Sequence, residues 1–310
     1  MTADGPGPEA VCEGIKVCLR QLPNLPTLPE IVVRLNELLE NDATGAADIA
    51  GLLNDDPALA ANMLRAANSA FYSGRWSAPL FSVRDAVARI GFREVRNLCL
   101  AMGVVNLFPD KGKTITHRAL WEHSLVTAIA ARAISRHASG SPDEDMCFVA
   151  GLLHEVGILI LDQYFHRALA DILHTVKSEG RPAGDVEREL LGMDHAELGA
   201  ELMGLWHMPE PVASSIRYHH VPEEADPACR PVARVVAAAD LVCNRHGSKG
   251  CLEPADLDAD DALLFTIPQE KQQELFAEIE ACARKSEVFM AIALGGPSAA
   301  DSGDRPHTHS

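Results

Sequence analysis

"GLLHEVGILIL", residues 151–161, is apolar except for His154 and Glu155. Read as a helix, it is hydrophobic on every side, the pattern of a buried segment. A carboxylate in such a place is costly unless it is paired or holds a metal. The flanking sequence extends the pattern, so that "DMCFVAGLLHEVGILILDQYF", residues 145–165, reads as one helix.

Other apolar faces carry the same anomaly. In "ALWEHSLVTAIAARAIS" (119–135), His123 shares a face with Val126, Ala130 and Ile134. In "PEPVASSIRYHH" (209–220), Val212 and Ile216 mark a stripe that three- and four-residue steps carry on to His219 and His220, before Pro222 ends the helix. In "RPVARVVAAADLVC" (230–243), Val232, Val236, Ala239 and Cys243 mark the buried face, and Asp240 follows Val236 by four. In "GMDHAELGAELMGLW" (192–206), Asp194 and Glu197 fit a capping pattern that puts His195 in the first turn. Asp194 itself reads as a plain cap. A single buried histidine is more often a hydrogen-bonded core residue than a ligand. Several helices presenting His, His-Glu, His-His and Asp make a candidate donor set for Fe, Mn or Zn. Neighbours on a helix point about 100° apart, so His154 and Glu155 could address two ions, or one ion and a supporting contact.

The remaining chain is helical in pattern. Apolar residues are 47% and aromatics 5%, a balance that favours helices over strands. "TLPEIVVRLNELLE" offers Thr27 as cap, Pro29 in the first turn and Ile31, Leu35, Leu38 and Leu39 on one face. "DDPALAANMLRAANSAFY" offers Asp56 as cap and Pro57 at the first helical position, with Leu59, Met63 and Ala67 in register. "SVRDAVARIG" offers Ser82 and Asp85 as caps, Val83, Val87 and Ile90 as a stripe, and Gly91 as a stop. Asn68 and Ser69 read as residues whose hydrogen bonds end a helix. "FPDKGKT" (108–114) is the best boundary, and "GGPSAADSGDRPHTHS" reads as a disordered tail.

The net charge of −17 opposes non-specific nucleic-acid binding and docking on anionic lipid. No apolar run is long enough to cross a bilayer, and the first ten residues do not read as a secretory signal. Eight cysteines without a C-x-x-C pair suggest reduced thiols and a cytoplasmic setting. Trp76 and Trp206 read as packing residues. His117, His137, His166, His174, His207 and His246 fit no ligand pattern and read as exposed or capping. His307 and His309 fall in the tail.

The order His123, His154–Glu155, Asp240 resembles the His…His-Asp…Asp metal set of the HD phosphohydrolase superfamily. The interposed His195 and the pair His219–His220 resemble the added ligands of its HD-GYP branch, which cleaves cyclic dinucleotides. A closer resemblance, over about residues 20–245, is to the HDOD family of bacterial signalling proteins. It is carried by "LPTLPEIVVRLNELL", "IAGLLNDDPALAANMLRAANSAFYSG", "SVRDAVARIGFREVRNLCL", "GLLHEVGILIL" and "HAELGAELMGLWHMPEPVASSIRYHH". Asp56, Pro57, Leu64, Asn68 and Ser69 are its most specific part.

The resemblance implies an all-α fold: an HD-domain-like helical bundle with an N-terminal helical subdomain. It suggests an extension over 1–19, the N-terminal helical part over 20–110, an HD-like core over 115–250, a helical extension over 251–293 and the tail over 294–310. It further implies a regulatory output module with a protein partner in a signalling pathway. The ligand set would be His123, His154, Glu155, His195, His219, His220 and Asp240, holding one or two divalent ions. Two departures bear on activity. The superfamily's His-Asp doublet is His154–Glu155 here, and glutamate, one methylene longer, displaces the carboxylate on a scale to which catalysis is sensitive. There is also no Gly-Tyr-Pro motif to indicate a cyclic dinucleotide. The alternative is a metal-dependent phosphohydrolase acting on a nucleotide or other phosphoester, with Arg217 or Lys177 as cations for the phosphate. Surface charge is the plainer reading of both.

Overall fold

Caps written into the sequence delimit several of the helices. The computed structural model describes residues 7–21, 29–39, 41, 43–69, 72, 78–109, 114–138, 142–245, 273–277 and 279. Among them every regular element is helical. The order is α1 (Pro8–Gln21), α2 (Glu30–Leu39), α3 (Ala46–Asn54), α4 (Pro57–Asn68), α5 (Val83–Ile90), α6 (Phe92–Leu107) and α7 (His117–Ser135). Then come α8 (Glu144–Leu153), α9 (Val156–Tyr164), α10 (His166–Glu179), α11 (Ala183–Leu191), α12 (His195–Leu205) and α13 (Glu210–Arg217). A 3-10 turn (Pro222–Glu224) precedes α14 (Arg230–Arg245). The Thr27 cap, Trp76, His246, Cys251, Cys282 and the tail with His307 and His309 lie outside the described residues. So does the 251–293 extension, apart from 273–277 and 279, which are helical.

The chain divides into two compact units. One contains α2 to α6 as far as Asn106. In it α5 packs on α3 and α4. Asp56 caps α4 through Ala58 and Leu59 N–H, with Pro57 opening the helix. Ser82 caps α5 by accepting from Asp85 N–H, and Gly91, at φ 90°, stops it. Asn68 does more than end a helix. Its amide donates to Leu80 O at 2.8 Å and accepts from Leu80 N at 2.7 Å, clamping the returning chain. Ser69 is the C-cap and donates to Ala66 O. The expected start of α2 shifts: the helix begins at Glu30, just after Pro29, and buries Val32 and Leu35 while Ile31 is half-buried.

The other unit contains α1 and α7 to α14. Its centre is α7, buried along nearly its whole length and packed against α8 and α14. Close helix approach depends on glycine. A Cβ on Gly151 of α8 would stand 2.9 Å from Ala128 Cα of α7. A Cβ on Gly157 of α9 would stand 1.9 Å from the His195 carbonyl oxygen of α12.

Three expectations need correction here. Residues 145–165 are not one helix: α8 ends at Leu153, and His154 and Glu155 form a turn, Glu155 at φ −98°, ψ 10°. The helix bearing Val212 and Ile216 stops at Arg217, so His219 and His220 sit in the turn beyond it. His117 is not exposed but buried, its Nε2 2.8 Å from Asp162 Oδ2 and its Nδ1 3.2 Å from Phe108 O. Asp162 also accepts from Thr114 N–H at 2.9 Å. His166, His174 and His207 are exposed as expected, and His137 is half-buried. Cys99, Cys147, Cys229 and Cys243 are buried free thiols, whereas Cys12 is half-buried and Cys18 exposed. Burial pushes the Cys99, Cys147 and Cys243 thiols up to about 12. Trp206 is buried.

Candidate metal centre

Five elements of the second unit bring the seven expected residues together. His123 comes from the middle of α7, His154 and Glu155 from the α8–α9 turn, and His195 from the first position of α12. His219 and His220 follow α13, and Asp240 projects from α14. Six of the seven are buried; His220 is exposed.

The atoms that meet are donors suited to metals. His123 Nε2 lies 3.2 Å from His154 Nε2 and 3.0 Å from Asp240 Oδ1. His154 Nε2 is 3.6 Å from Asp240 Oδ1 and 3.8 Å from Glu155 Oε1. On the other side His195 Nε2 is 3.0 Å from His220 Nε2 and 3.4 Å from Glu155 Oε2. The ligand atoms of His123, His154 and Glu155 fall within 4.8 Å of one another, and so do those of His195, His219 and His220. The rings of His154 and His219 are 5.2 Å apart, so the two groups adjoin, with Glu155 reaching toward both.

Local hydrogen bonds decide which ring nitrogen faces inward. His154 Nδ1 is 2.8 Å from Gly151 O, and His219 Nδ1 is 2.7 Å from Ile216 O. A carbonyl oxygen only accepts, so each Nδ1 carries a hydrogen and the Nε2 of each ring is turned into the cluster. His195 Nδ1 donates to Glu187 Oε2 at 2.7 Å. The cap of α12 is the expected box, with Asp194 accepting from Glu197 N–H and Glu197 from Asp194 N–H; Arg188 also holds Asp194.

The charges follow from these contacts. Burial opposes ionisation of Asp240, but the bonds from His123 and His154 outweigh it and hold its pKa well below the usual carboxylate range. Burial, reinforced by the neighbouring rings of His220, His154 and His195, holds His219 well below the usual imidazole value. Burial alone would lower His195, yet the Glu187 and Glu155 carboxylates raise it to about 10. Without an ion, the charge of a protonated His195 opposes that of the two acids.

The residues fit a metal. Among the described residues, His219 Nε2 and Glu155 Oε2 are buried polar atoms without a hydrogen-bond partner, a combination that needs an explanation in a close-packed interior. The donor set of neutral imidazoles and carboxylates is the one transition ions take. The residues proposed as cations are engaged elsewhere or exposed: Arg217 pairs with Glu201 at 3.5 Å, and Lys177 is exposed on α10. Glu187 escaped the reading of the sequence. It lies four residues after Ala183 and four before Leu191, both buried, so the periodicity that singled out Asp240 would have found it.

This architecture is that of a known class of helical proteins. The HDOD domain family matches residues 25–222, and the chain belongs to that family. It is similar to an HDOD domain protein of unknown function from Geobacter sulfurreducens, with 27% identity over 91% of this chain and 96% of that one and a TM-score of 0.72. A protein from Marinobacter aquaeolei, provisionally assigned to signal transduction, is 23% identical over 94% of this chain and 67% of its own, at a TM-score of 0.70. A provisionally assigned phosphohydrolase from Shewanella amazonensis is 24% identical over 89% and 96%, at 0.62. These last two support the fold alone. An uncharacterized protein of Treponema pallidum is 24% identical over 221 residues, and the chain spans 42% of that relative's length. No helix among the described residues is long and apolar enough to cross a membrane.

Proposed function

We propose that this chain is a metal-binding HDOD regulatory module that acts in bacterial signal transduction through a protein partner. The observation that carries the metal assignment is the inward convergence of imidazole Nε2 atoms whose Nδ1 positions are tied to acceptors. His123, His154 and Asp240 would hold one ion and His195, His219 and His220 a second, with Glu155 between them. The ions are of the Fe, Mn or Zn class. The two relatives provisionally linked to signalling and to phosphohydrolysis share this fold, which is compatible with either role.

A second reading, a metal-dependent phosphohydrolase, is favoured by one feature: His220, whose Nε2 meets His195, is an exposed residue at the edge of the cluster. A divalent ion supplies Lewis acidity to a phosphoryl oxygen and lowers the pKa of water. The chain's own contribution would be placement of the ions by Glu155 and the five rings. The engagement of Arg217 and the exposure of Lys177 favour the regulatory reading.

Elemental analysis of protein purified without added metal tests the first proposal. The expected result is one or two equivalents of transition metal, reduced in His154→Ala. Metal-free protein after growth in supplemented medium refutes it. Hydrolysis of bis-p-nitrophenyl phosphate by wild type, lost in His154→Ala, would replace the regulatory reading with the catalytic one.

A further inference from the structure

Glu187 on α11 is completely buried. Its Oε2 accepts from two N–H groups of one residue, the His195 backbone at 3.0 Å and the His195 ring Nδ1 at 2.7 Å. Its Oε1 is buried and has no hydrogen-bond partner among the described residues. A carboxylate in such a position is costly unless its charge is used. Here both contacts serve the same end. They fix the rotation of the His195 ring and keep the hydrogen on Nδ1, so that Nε2 faces His220 and Glu155.

The other rings with an assigned anchor differ. His154 and His219 are oriented by backbone carbonyls, which are neutral and part of the helix ends themselves. His195 alone among these three leans on a charged side chain from another helix. An anionic partner on the far nitrogen makes an imidazole a stronger donor as well as a fixed one. The helix that carries Glu187 is itself braced. It ends at Gly192, at φ +72°, where a Cβ would stand 2.1 Å from Pro8 O, and α1 packs against it.

We propose that Glu187 is the positioning residue for the three-histidine half of the centre, His195, His219 and His220, and sets its metal affinity separately from that of the His123–His154 half. This rests on the metal-binding reading above. Glu187 does not itself reach the cluster; it acts through His195.

The test uses the full chain, stripped with chelator and titrated with Zn2+, as wild type, Glu187→Ala and Glu187→Gln. His123→Ala identifies the binding phase of the other half. Glu187→Ala should weaken the three-histidine phase by about 10- to 100-fold and leave the His123 phase unchanged. Glu187→Gln, which has the same shape and can still accept from Nδ1–H, should fall between and melt near wild type. In the metal-free chain, 1H–15N spectra should show a hydrogen-bonded Nδ1–H on the His195 ring in wild type and Glu187→Gln and its loss to solvent exchange in Glu187→Ala, a change read at the ring nitrogen itself. Unchanged zinc affinity in Glu187→Ala, or an equal loss in both phases, overturns the proposal. If wild type binds no zinc, the metal reading fails and the affinity claim falls with it; an unaltered ring spectrum in Glu187→Ala would then overturn the positioning claim as well.

Discussion

Gly157→Ala should separate the two halves of the centre. The new Cβ would lie 1.9 Å from the His195 carbonyl oxygen, 2.8 Å from its carbon and 3.0 Å from Gly199 N. Ordinary contact begins near 3.4 Å, so α9 and α12 must part locally by about 1.5 Å. The obstruction is backbone on both sides, and no rotamer change relieves it. Overpacking of this kind costs about 1–3 kcal/mol, and a backbone clash belongs at the upper end. At roughly 2–4 °C per kcal/mol for a unit of this size, the metal-free protein should melt about 6–12 °C lower. The displacement also acts on the site, because Glu155 precedes Gly157 by two residues and its Oε2 is 3.4 Å from His195 Nε2. Circular dichroism melting followed by zinc titration reads both effects. Gly204→Ala, on the same α12 with nothing within 4 Å of its would-be Cβ, is the control and should be neutral or stabilising by up to about 1 kcal/mol. A Gly157→Ala protein that melts within about 1 °C of wild type and binds zinc equally would refute the account of how these helices approach.

Three further outcomes are expected. His219→Ala should lower bound metal by up to one equivalent while changing metal-free stability by less than about 2 kcal/mol, because the bond lost is the single one from Nδ1 to Ile216 O; urea unfolding and elemental analysis check this. Metal-free stability should peak near pH 6.5. His195, raised from 6.5 to about 10, is protonated in the folded chain when the unfolded chain has lost the proton, so its stabilisation is full below 6.5 and disappears as pH rises toward 10. His219, lowered, gives the opposite slope below 6.5, and Asp240, lowered, adds acid sensitivity below about 3.8. Zinc should flatten the alkaline limb by taking the place of the His195 proton, and an alkaline limb already flat in the stripped protein would contradict the Glu187–His195 pairing. Asp162→Ala leaves the buried His117 ring and Thr114 N–H without their acceptor and should destabilise by about 3–5 kcal/mol while retaining metal, as measured by unfolding alongside metal content.

The residues of the candidate site were more legible in the sequence than the path of the chain through them. Asp240, His123 and His219 stood out because helical periodicity places each on an apolar face, and burial preserves that signal. The break at His154–Glu155 was hidden because "GLLHEVGILIL" is apolar on every side, and a segment buried all round carries no periodic mark of where it bends. The helix beyond the break is seated by a tertiary contact, Gly157 against the His195 carbonyl, between residues 38 positions apart. The early end of α13 was hidden for a related reason: the turn still aims His219 inward through its bond to Ile216 O, as a continued helix would have. His117 read as exposed or capping, since the acid that covers it lies 45 positions away.

The recognised borders, 25 and 222, do not coincide with where the folded unit stops. Fourteen residues ahead of them, Pro8–Gln21, form the helix that lies against the bearer of Glu187, and the helix that supplies Asp240 begins eight residues after them. A fragment trimmed to the recognisable stretch would strip an acid from the centre, remove the buried Val232, Val236 and Ala239, and uncover the face of α7 on which their helix packs. Expression boundaries and fusion junctions therefore belong ahead of Pro8 and beyond Arg245, and a truncated version found inactive would say nothing about what the whole chain does.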